Sequence, residues 1–436
     1  MQNNDIGTYG EMSLTVVRNG RIIDPASNRD ETGDLWFLGD RIVDEPFNDE
    51  SEKITVIEAK GKLVLPGIID MHTHLCEPGY EYRETIESGT RAAVAGGVTA
   101  LACMPDTDPV IDDVPTVKFI QDRALNSAAR IYPIGALTVG SEGDCLTESG
   151  KLLEAGVVAL SDAERSIGNP AILRRGLEYN RMFNLPIIVH CEDPFLSRDG
   201  QINDGYQATR LGLKGSPTVS EETIAARDIM LAEETGGRLH LTHISSAVTV
   251  QLIRAAKKRG VQITADVSPL HLVLTDEALL AYDTNLKVTP PLRSQRDFEA
   301  LREGLLDGTI DAIASDHTPR SVDEKKVEFQ EALPGALGLE TMLSFIFTEL
   351  VEPGHLSISS AIKALSTGPA KILGVEGGLL SAGNPADFLI FDPNSTWLVD
   401  ADSLKSKSNN TPLAGRTLKG FVTRTVVGGK TSYLHR

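Results

Sequence analysis

Two histidines one residue apart, His72 and His74 in Asp70-Met-His-Thr-His, are the first side chains along the chain whose spacing suits chemistry. On an extended strand, side chains two positions apart point to the same side, so both imidazoles can converge on one ion. A lone His-x-His carries little weight, because most such pairs are incidental. The weight comes from where other ligand types fall. Asp162 ends the run Val-Val-Ala-Leu-Ser, His190 follows Ile-Ile-Val, His243 follows Leu-His-Leu-Thr, and Asp316 follows Ala-Ile-Ala-Ser. This set of imidazoles and carboxylates exceeds what one tetrahedral zinc takes, which points to two metal ions sharing a bridging oxygen. Such a centre lowers the pKa of a bridging water and polarises a carbonyl or amide oxygen, and a carboxylate at the rim can carry the proton to a leaving nitrogen. The chemistry implied is metal-assisted hydrolysis with a C–N bond as its target. The substrate is not reached by this argument.

The other histidines read differently. His240 lies three residues before His243 and alternates onto the opposite face, as a packing or surface residue would. His271, His355 and His435 have no partner pattern, His317 directly follows Asp316, and Asp70 is placed to hydrogen-bond a ligand histidine.

Something must bring these residues together. Apolar runs recur at 63–69, 98–103, 131–137, 157–160, 187–189, 239–241, 263–267 and 312–314. Between them lie stretches with helical spacing, such as the one that opens at Val248 and closes on Lys257-Lys-Arg-Gly260. Continuous rather than alternating apolar strands suit a parallel sheet covered on both faces. Eight strand–helix units predict a TIM-like (β/α)8 barrel, with the chemistry at the C-terminal ends of its strands; a doubly wound open sheet is the alternative. Both termini carry short β-rich runs punctuated by turns such as Asn19-Gly20 and Gly39-Asp40. Neither half is large enough to bury a two-sided core alone, so residues 1–62 and 371–436 are expected to build one composite β-sandwich domain around a barrel at 63–370.

Composition sets the outer limits. The 436 residues are 41% apolar and 24% charged, a globular balance, and 42 Lys plus Arg against 61 Asp plus Glu give a net charge of −19. So acidic a chain lacks the basic footprint of nucleic-acid or anionic-membrane binding, which leaves a small molecule as the expected partner. The cysteines at 76, 103, 145 and 191 have no paired short spacing, residues 1–15 contain no apolar signal-peptide core, and no run is long enough to span a membrane. A reducing cytoplasm is the expected location.

Longer motifs run through nearly the whole chain: His72-Thr-His-Leu-Cys-Glu-Pro-Gly79, residues 84–99, Met104-Pro-Asp-Thr-Asp-Pro109, Ala208-Thr-Arg-Leu-Gly-Leu-Lys-Gly215, Leu272-Val-Leu-Thr-Asp-Glu277, Pro290-Pro-Leu-Arg293, Ser315-Asp-His-Thr-Pro319, Gly338-Leu-Glu-Thr341 and residues 405–415. Together they resemble the amidohydrolase superfamily, and within it the class I bacterial dihydroorotases of pyrimidine synthesis. The resemblance implies that His72 and His74 hold one zinc, that His190 and His243 hold a second, and that Asp162 bridges them. It makes Asp316 both a ligand and the catalytic acid/base. Many superfamily members carry a carboxylated lysine at the end of the fourth strand; Asp162 stands in that place, so no carboxylation is required. A homodimer is expected by the same resemblance, and association with aspartate transcarbamoylase is a further partner it suggests.

The implied substrate contacts are His74, Cys76, Asp106, Thr289, Arg320, Pro334 and Gly335, and most depart from the family pattern. Cys76 stands where an arginine normally grips the substrate carboxylate, Asp106 and Thr289 replace asparagines, Arg320 replaces a histidine, and Pro334-Gly335 replaces Phe-Gly. Arg320 is therefore expected to clamp the substrate carboxylate from the opposite rim, since a guanidinium fits a carboxylate bidentately. Three functions stay open: interconversion of N-carbamoyl-L-aspartate and dihydroorotate, hydrolysis of another cyclic amide such as a hydantoin- or imide-like ring, and a non-catalytic scaffold for aspartate transcarbamoylase.

Overall fold

The structure, a computed structural model, describes residues 14–45 and 54–435. All but the last two of residues 1–15, on which the signal-peptide reading rests, and part of the composite-domain range therefore lie outside the described residues.

The barrel is present with its eight strands: Ile68–Thr73, Val98–Cys103, Arg130–Gly135, Ala159–Ser161, Ile187–Val189, Leu239–Leu241, Ile263–Val267 and Ala312–Ile313. Each is hydrogen-bonded in parallel to the next in sequence. A parallel bridge between Thr73 and His317 closes the circle, and the His74 N–H donates to the His317 carbonyl at 2.9 Å. Covering helices include Ile86–Ala95, Val114–Ala124, Pro170–Asn180, Val219–Thr235, Ala247–Lys258 and Gln295–Leu306. Their starts are written locally. Asp113 accepts from the Thr116 N–H, Asn169 from that of Ala171, and Ser246 from that of Val248, each satisfying an amide that a helix leaves free.

Alternation along the strands divides the core. Ile69, Met71, Ala100, Ala102, Ile134, Ala159, Ile188 and Ala312 pack together in the lumen. Ile68, Leu101, Leu160, Ile187 and Leu241 instead join the larger core between strands and helices. Both faces of each strand are thus buried, which is why the runs are continuously apolar.

The two termini build one sheet, as expected. Its main path runs through Lys430–Leu434, Thr417–Val427, Phe388–Leu398, Leu63–Pro66, Leu14–Asp24, Arg29–Leu38 and Arg41–Val43, and Thr55–Glu58 joins Leu14–Asp24. One expectation is corrected here. The run 63–69 is not a single barrel strand: Leu63–Pro66 pairs antiparallel with Phe388–Leu398 and parallel with Leu14–Asp24, and the barrel begins at Ile68. Both pieces are buried, so hydrophobicity cannot separate them; the break falls at Gly67. A Cβ there would lie 2.0 Å from Thr99 Oγ1 and 2.7 Å from Thr99 Cβ, so the crossing between sheets needs a residue without a side chain. Gly67→Ala is expected to cost about 1–3 kcal/mol by overpacking, read as a lower midpoint in denaturant titration.

Candidate metal centre

The strands deliver their terminal side chains to one point at the barrel mouth. At its centre is Glu164, a carboxylate flanked on both oxygens. Its Oε1 lies 3.2 Å from His72 Nε2 and 3.5 Å from His74 Nε2, while its Oε2 lies 3.7 Å from His190 Nδ1 and 3.6 Å from His243 Nε2. Asp316 Oδ1 stands 3.9 Å from His72 Nε2. Two groups of ligand atoms therefore share Glu164: His72, His74 and Asp316 on one side, His190 and His243 on the other.

The structure brings together five of the six expected metal residues and leaves one out. Asp162 accepts from the Thr138 N–H at 2.9 Å and from the Thr138 hydroxyl at 2.5 Å, which ties the end of the fourth strand to the loop after the third. It is not part of either group, and Glu164 is the carboxylate common to both. The reason is local backbone geometry. Ala163 adopts φ 53°, so the chain turns out of the strand direction after Asp162, and the next carboxylate, one methylene longer, swings into the mouth. The signal in the sequence was the second acidic residue in Ser161-Asp-Ala-Glu164.

These residues fit bound metal. His74 Nε2, His190 Nδ1, His243 Nε2 and Glu164 Oε2 are buried without a hydrogen-bond partner. Convergent imidazole nitrogens and carboxylate oxygens left unsatisfied in this way are what a cation would complete. Charge says the same. Burial works against ionisation, yet the Glu164 carboxylate is held well below its usual range by His243, His72 and His74. Burial likewise opposes a charge on His74, but Asp106 and Glu164 raise it to about 10; Glu164 and Asp316 raise His243 to about 9 against the same opposition. Burial pushes Asp316 up.

Other expected residues fall around this centre. Both oxygens of Asp106 lie 2.8 Å from His74 Nδ1, so this carboxylate orients a metal-facing imidazole. Cys76 is buried at φ 60°, two residues beyond His74. Thr289 and Pro334 line a cavity of about 260 Å³ together with Glu192 and Lys287. The Gly335 N–H donates to the Lys287 carbonyl at 2.8 Å. Arg320 donates from Nε to the Pro334 carbonyl at 2.8 Å, while its N–H meets Asn410 Oδ1 at 3.0 Å. Asp70 does not touch an imidazole; it accepts from the Ser315 N–H and hydroxyl and from the Thr73 hydroxyl, joining the first strand to the last. His240 is buried in the lumen, and His271 is held between Ser268 Oγ and the Pro290 carbonyl.

One rim carries an unusual charge. Lys287 Nζ donates to the Phe329 and Gln330 carbonyls at 2.8 and 3.0 Å, and Lys325 Nζ to the Leu333 carbonyl at 2.9 Å. Among the described residues neither lysine nor Arg320 forms an ion pair, so the direct partners of all three cations are backbone carbonyls, while Glu324 and Glu331 act on them from farther off. Burial, then Arg320 and Lys287, push Lys325 down to about 7.

Comparison with known proteins gives a consistent picture. A family model described as Dihydro-orotase-like matches residues 61–248, and one described as Amidohydrolase family matches residues 217–433. A dihydroorotase of Pelotomaculum thermopropionicum is 48% identical over 415 residues, covering 95% of this chain and 97% of its own. One from Syntrophotalea carbinolica is 48% identical over 419 residues, covering 96% and 98%. Among solved structures, the L-hydantoinase (dihydropyrimidinase) of Arthrobacter aurescens superimposes with a TM-score of 0.87 at 25% identity over 96% of both chains. A D-hydantoinase (dihydropyrimidinase) from Thermus sp. gives a TM-score of 0.84 at 24% identity over 96% of this chain and 95% of that one. These two bear out the barrel and its companion β domain as the fold.

The exchange of Asp162 for Glu164 is open to direct measurement. Glu164→Gln should lose bound metal by elemental analysis, because an amide brings one neutral acceptor where a shared carboxylate brought two charged ones. Asp162→Asn should keep its metal and lose about 1–3 kcal/mol of stability through the Thr138 contacts.

Proposed function

The chain belongs to the dihydroorotase family of the amidohydrolases, and from that premise we propose that it interconverts N-carbamoyl-L-aspartate and (S)-dihydroorotate plus water in pyrimidine biosynthesis. The observation that carries the reading is Glu164 shared between two sets of imidazoles with Asp316 beside them. His72, His74, Glu164, His190, His243 and Asp316 would hold two ions, and this nitrogen-rich donor set suits zinc. Bound there, the metals supply Lewis acidity and a water acidic enough to attack at neutral pH. Asp316 would accept the proton of the attacking water and return it to the ring nitrogen as the C–N bond breaks. Asp106 keeps His74 turned towards the centre throughout.

The substrate is anionic, and the cationic rim is what receives it. Arg320 has its Nε fixed on Pro334, which leaves the two outer nitrogens of its guanidinium without a partner among the described residues. Its charge reaches the mouth: Asp106 is held below its usual range against burial, first by His74 and in smaller part by Arg320. Arg320 supplies the carboxylate clamp in place of the arginine that Cys76 replaces. Cys76 itself favours a second reading, a less acidic cyclic amide such as a hydantoin, because its thiol is neutral; burial pushes it up, well above the ordinary thiol range. The scaffold reading has no comparable support, since each imidazole of the expected set is in place. Assembly as a homodimer, contact with aspartate transcarbamoylase and a cytoplasmic location, which the free cysteines suit, complete the proposal. No helix among the described residues is long and apolar enough to cross a membrane.

Zinc-loaded protein should turn over dihydroorotate and N-carbamoyl-aspartate in opposite directions, and hydantoin or dihydrouracil poorly; the reverse ranking would favour the second reading. Asp316→Asn should abolish turnover with metal retained. Loss of a charged hydrogen bond costs about 1.5–3 kcal/mol, so Arg320→Ala should lower kcat/KM for dihydroorotate by roughly one to two decades and leave neutral rings little changed.

A further inference from the structure

One buried polar cluster lies beneath the metal centre, in the barrel lumen, and the reaction does not use it. His240, Thr264 and Asp266 sit at lumen-facing positions: His240 is in register with Ile188 and with Thr264, and Asp266 with Ala312. Ile188 and Ala312 belong to the apolar lumen core. A carboxylate and an imidazole, both essentially inaccessible to water, therefore stand among alkyl side chains. Groups of this kind are retained only where their hydrogen bonds are filled.

They are filled, and the chain of contacts ends on a metal-facing histidine. His240 Nε2 lies 2.8 Å from Asp266 Oδ2, and His240 Nδ1 lies 2.8 Å from Thr264 Oγ1. The Thr242 hydroxyl donates to the same Asp266 Oδ2 at 3.0 Å. Thr242 Oγ1 is also 2.9 Å from His72 Nδ1. The other oxygen, Asp266 Oδ1, accepts from the backbone N–H of His243 at 2.6 Å.

The direction of these bonds is forced. A carboxylate only accepts, and a hydroxyl has one proton to give. The proton of Thr242 goes to Asp266, so only a lone pair of the hydroxyl faces His72. His72 must then carry its proton on Nδ1, and Nε2 is left as the bare nitrogen aimed at Glu164. Both oxygens of Asp266 already face donors, Oδ1 the His243 backbone N–H and Oδ2 the Thr242 hydroxyl and His240, so the carboxylate acts here as an acceptor.

Resting on the metal-centre reading above, we propose that Asp266, held by His240 and acting through Thr242, is a positioning residue that fixes His72 as its Nδ1–H tautomer and so presets the metal-binding nitrogen. The same carboxylate anchors the backbone of His243, which faces the other half of the centre. One lumen residue thereby aligns a ligand from each metal position without touching either metal.

The test is chelator competition on zinc-loaded protein, with the electronic spectrum of the cobalt-substituted form as a second readout and circular dichroism as the control for folding. Thr242→Val keeps the shape and removes the hydroxyl. It should weaken one of the two metal equivalents by about 10–100-fold and alter the cobalt spectrum, and Thr242→Ser should restore both. Asp266→Asn offers Thr242 a donor, frees the hydroxyl proton to turn towards His72, and should weaken the same equivalent. If Thr242→Val does not fold, Thr242→Ala, which only removes atoms, takes its place. Wild-type affinity and spectrum in the folded Thr242 and Asp266 variants would overturn the proposal, as would failure of Thr242→Ser to rescue. A wild-type protein that binds no metal would overturn the metal-centre reading instead, so the two failures are distinct.

Discussion

A carboxylate set among buried imidazoles, with one oxygen shut off from water, must be compensated, and the mouth of this barrel is arranged around that requirement. Glu164 lies among imidazoles that are themselves almost wholly withdrawn from water. An isolated ion in such a place would be disfavoured by the loss of water around it. Here the charge is shared in two directions, because each oxygen of the carboxylate faces a different pair of histidines. The fold meets the requirement by distributing its donors: the first strand sends two imidazoles, the fifth and sixth send one each, and the turn after the fourth sends the carboxylate. No single element could do this, since a strand places only alternate residues on one face and a helix spaces its neighbours too far along its axis.

Around that centre the charges are sorted by height. Acidic groups lie at the floor, where cations would sit, and cations lie on the rim formed by residues 320–335, held by carbonyl oxygens in place of carboxylates. A rim cation paired with a carboxylate would have little field left for a ligand. One bonded to backbone carbonyls keeps its formal charge uncancelled, and the reduced hydration near the mouth strengthens what remains.

The sequence made the barrel legible because a strand buried on both faces must be apolar at nearly every position, and the ligand histidines legible because they interrupt such runs at their ends. Where it departs from the structure, the causes are physical. That Glu164 rather than Asp162 lies among the imidazoles follows from the left-handed turn at Ala163, where strand periodicity stops applying, and nothing in the composition of Ser161-Asp-Ala-Glu164 announces that turn. The run 63–69 was read as one strand because two different sheets both bury it completely. His240 was set aside as packing, and it does pack. Its role as a hydrogen-bond partner of Asp266 depends on cross-strand register, which a linear pattern does not encode. The carboxylates of Asp106 and Asp70 were placed near the site, but which nitrogen or hydroxyl each would meet could be read only from coordinates.

The split at Gly67 also sets an order in time. Leu63–Pro66 leads directly into the first barrel strand, yet its antiparallel partner is Phe388–Leu398, more than three hundred residues later. A ribosome has made every barrel strand before it makes that partner. During synthesis the entry to the barrel is therefore held only from the Leu14–Asp24 side, and its other edge stays open until the last tenth of the chain emerges. An open strand edge is a template for mispairing. The late C-terminal strands act as the clasp that ends this exposure, so a message truncated after the barrel would encode every side chain gathered at the barrel mouth and still release a chain with its first sheet unclosed.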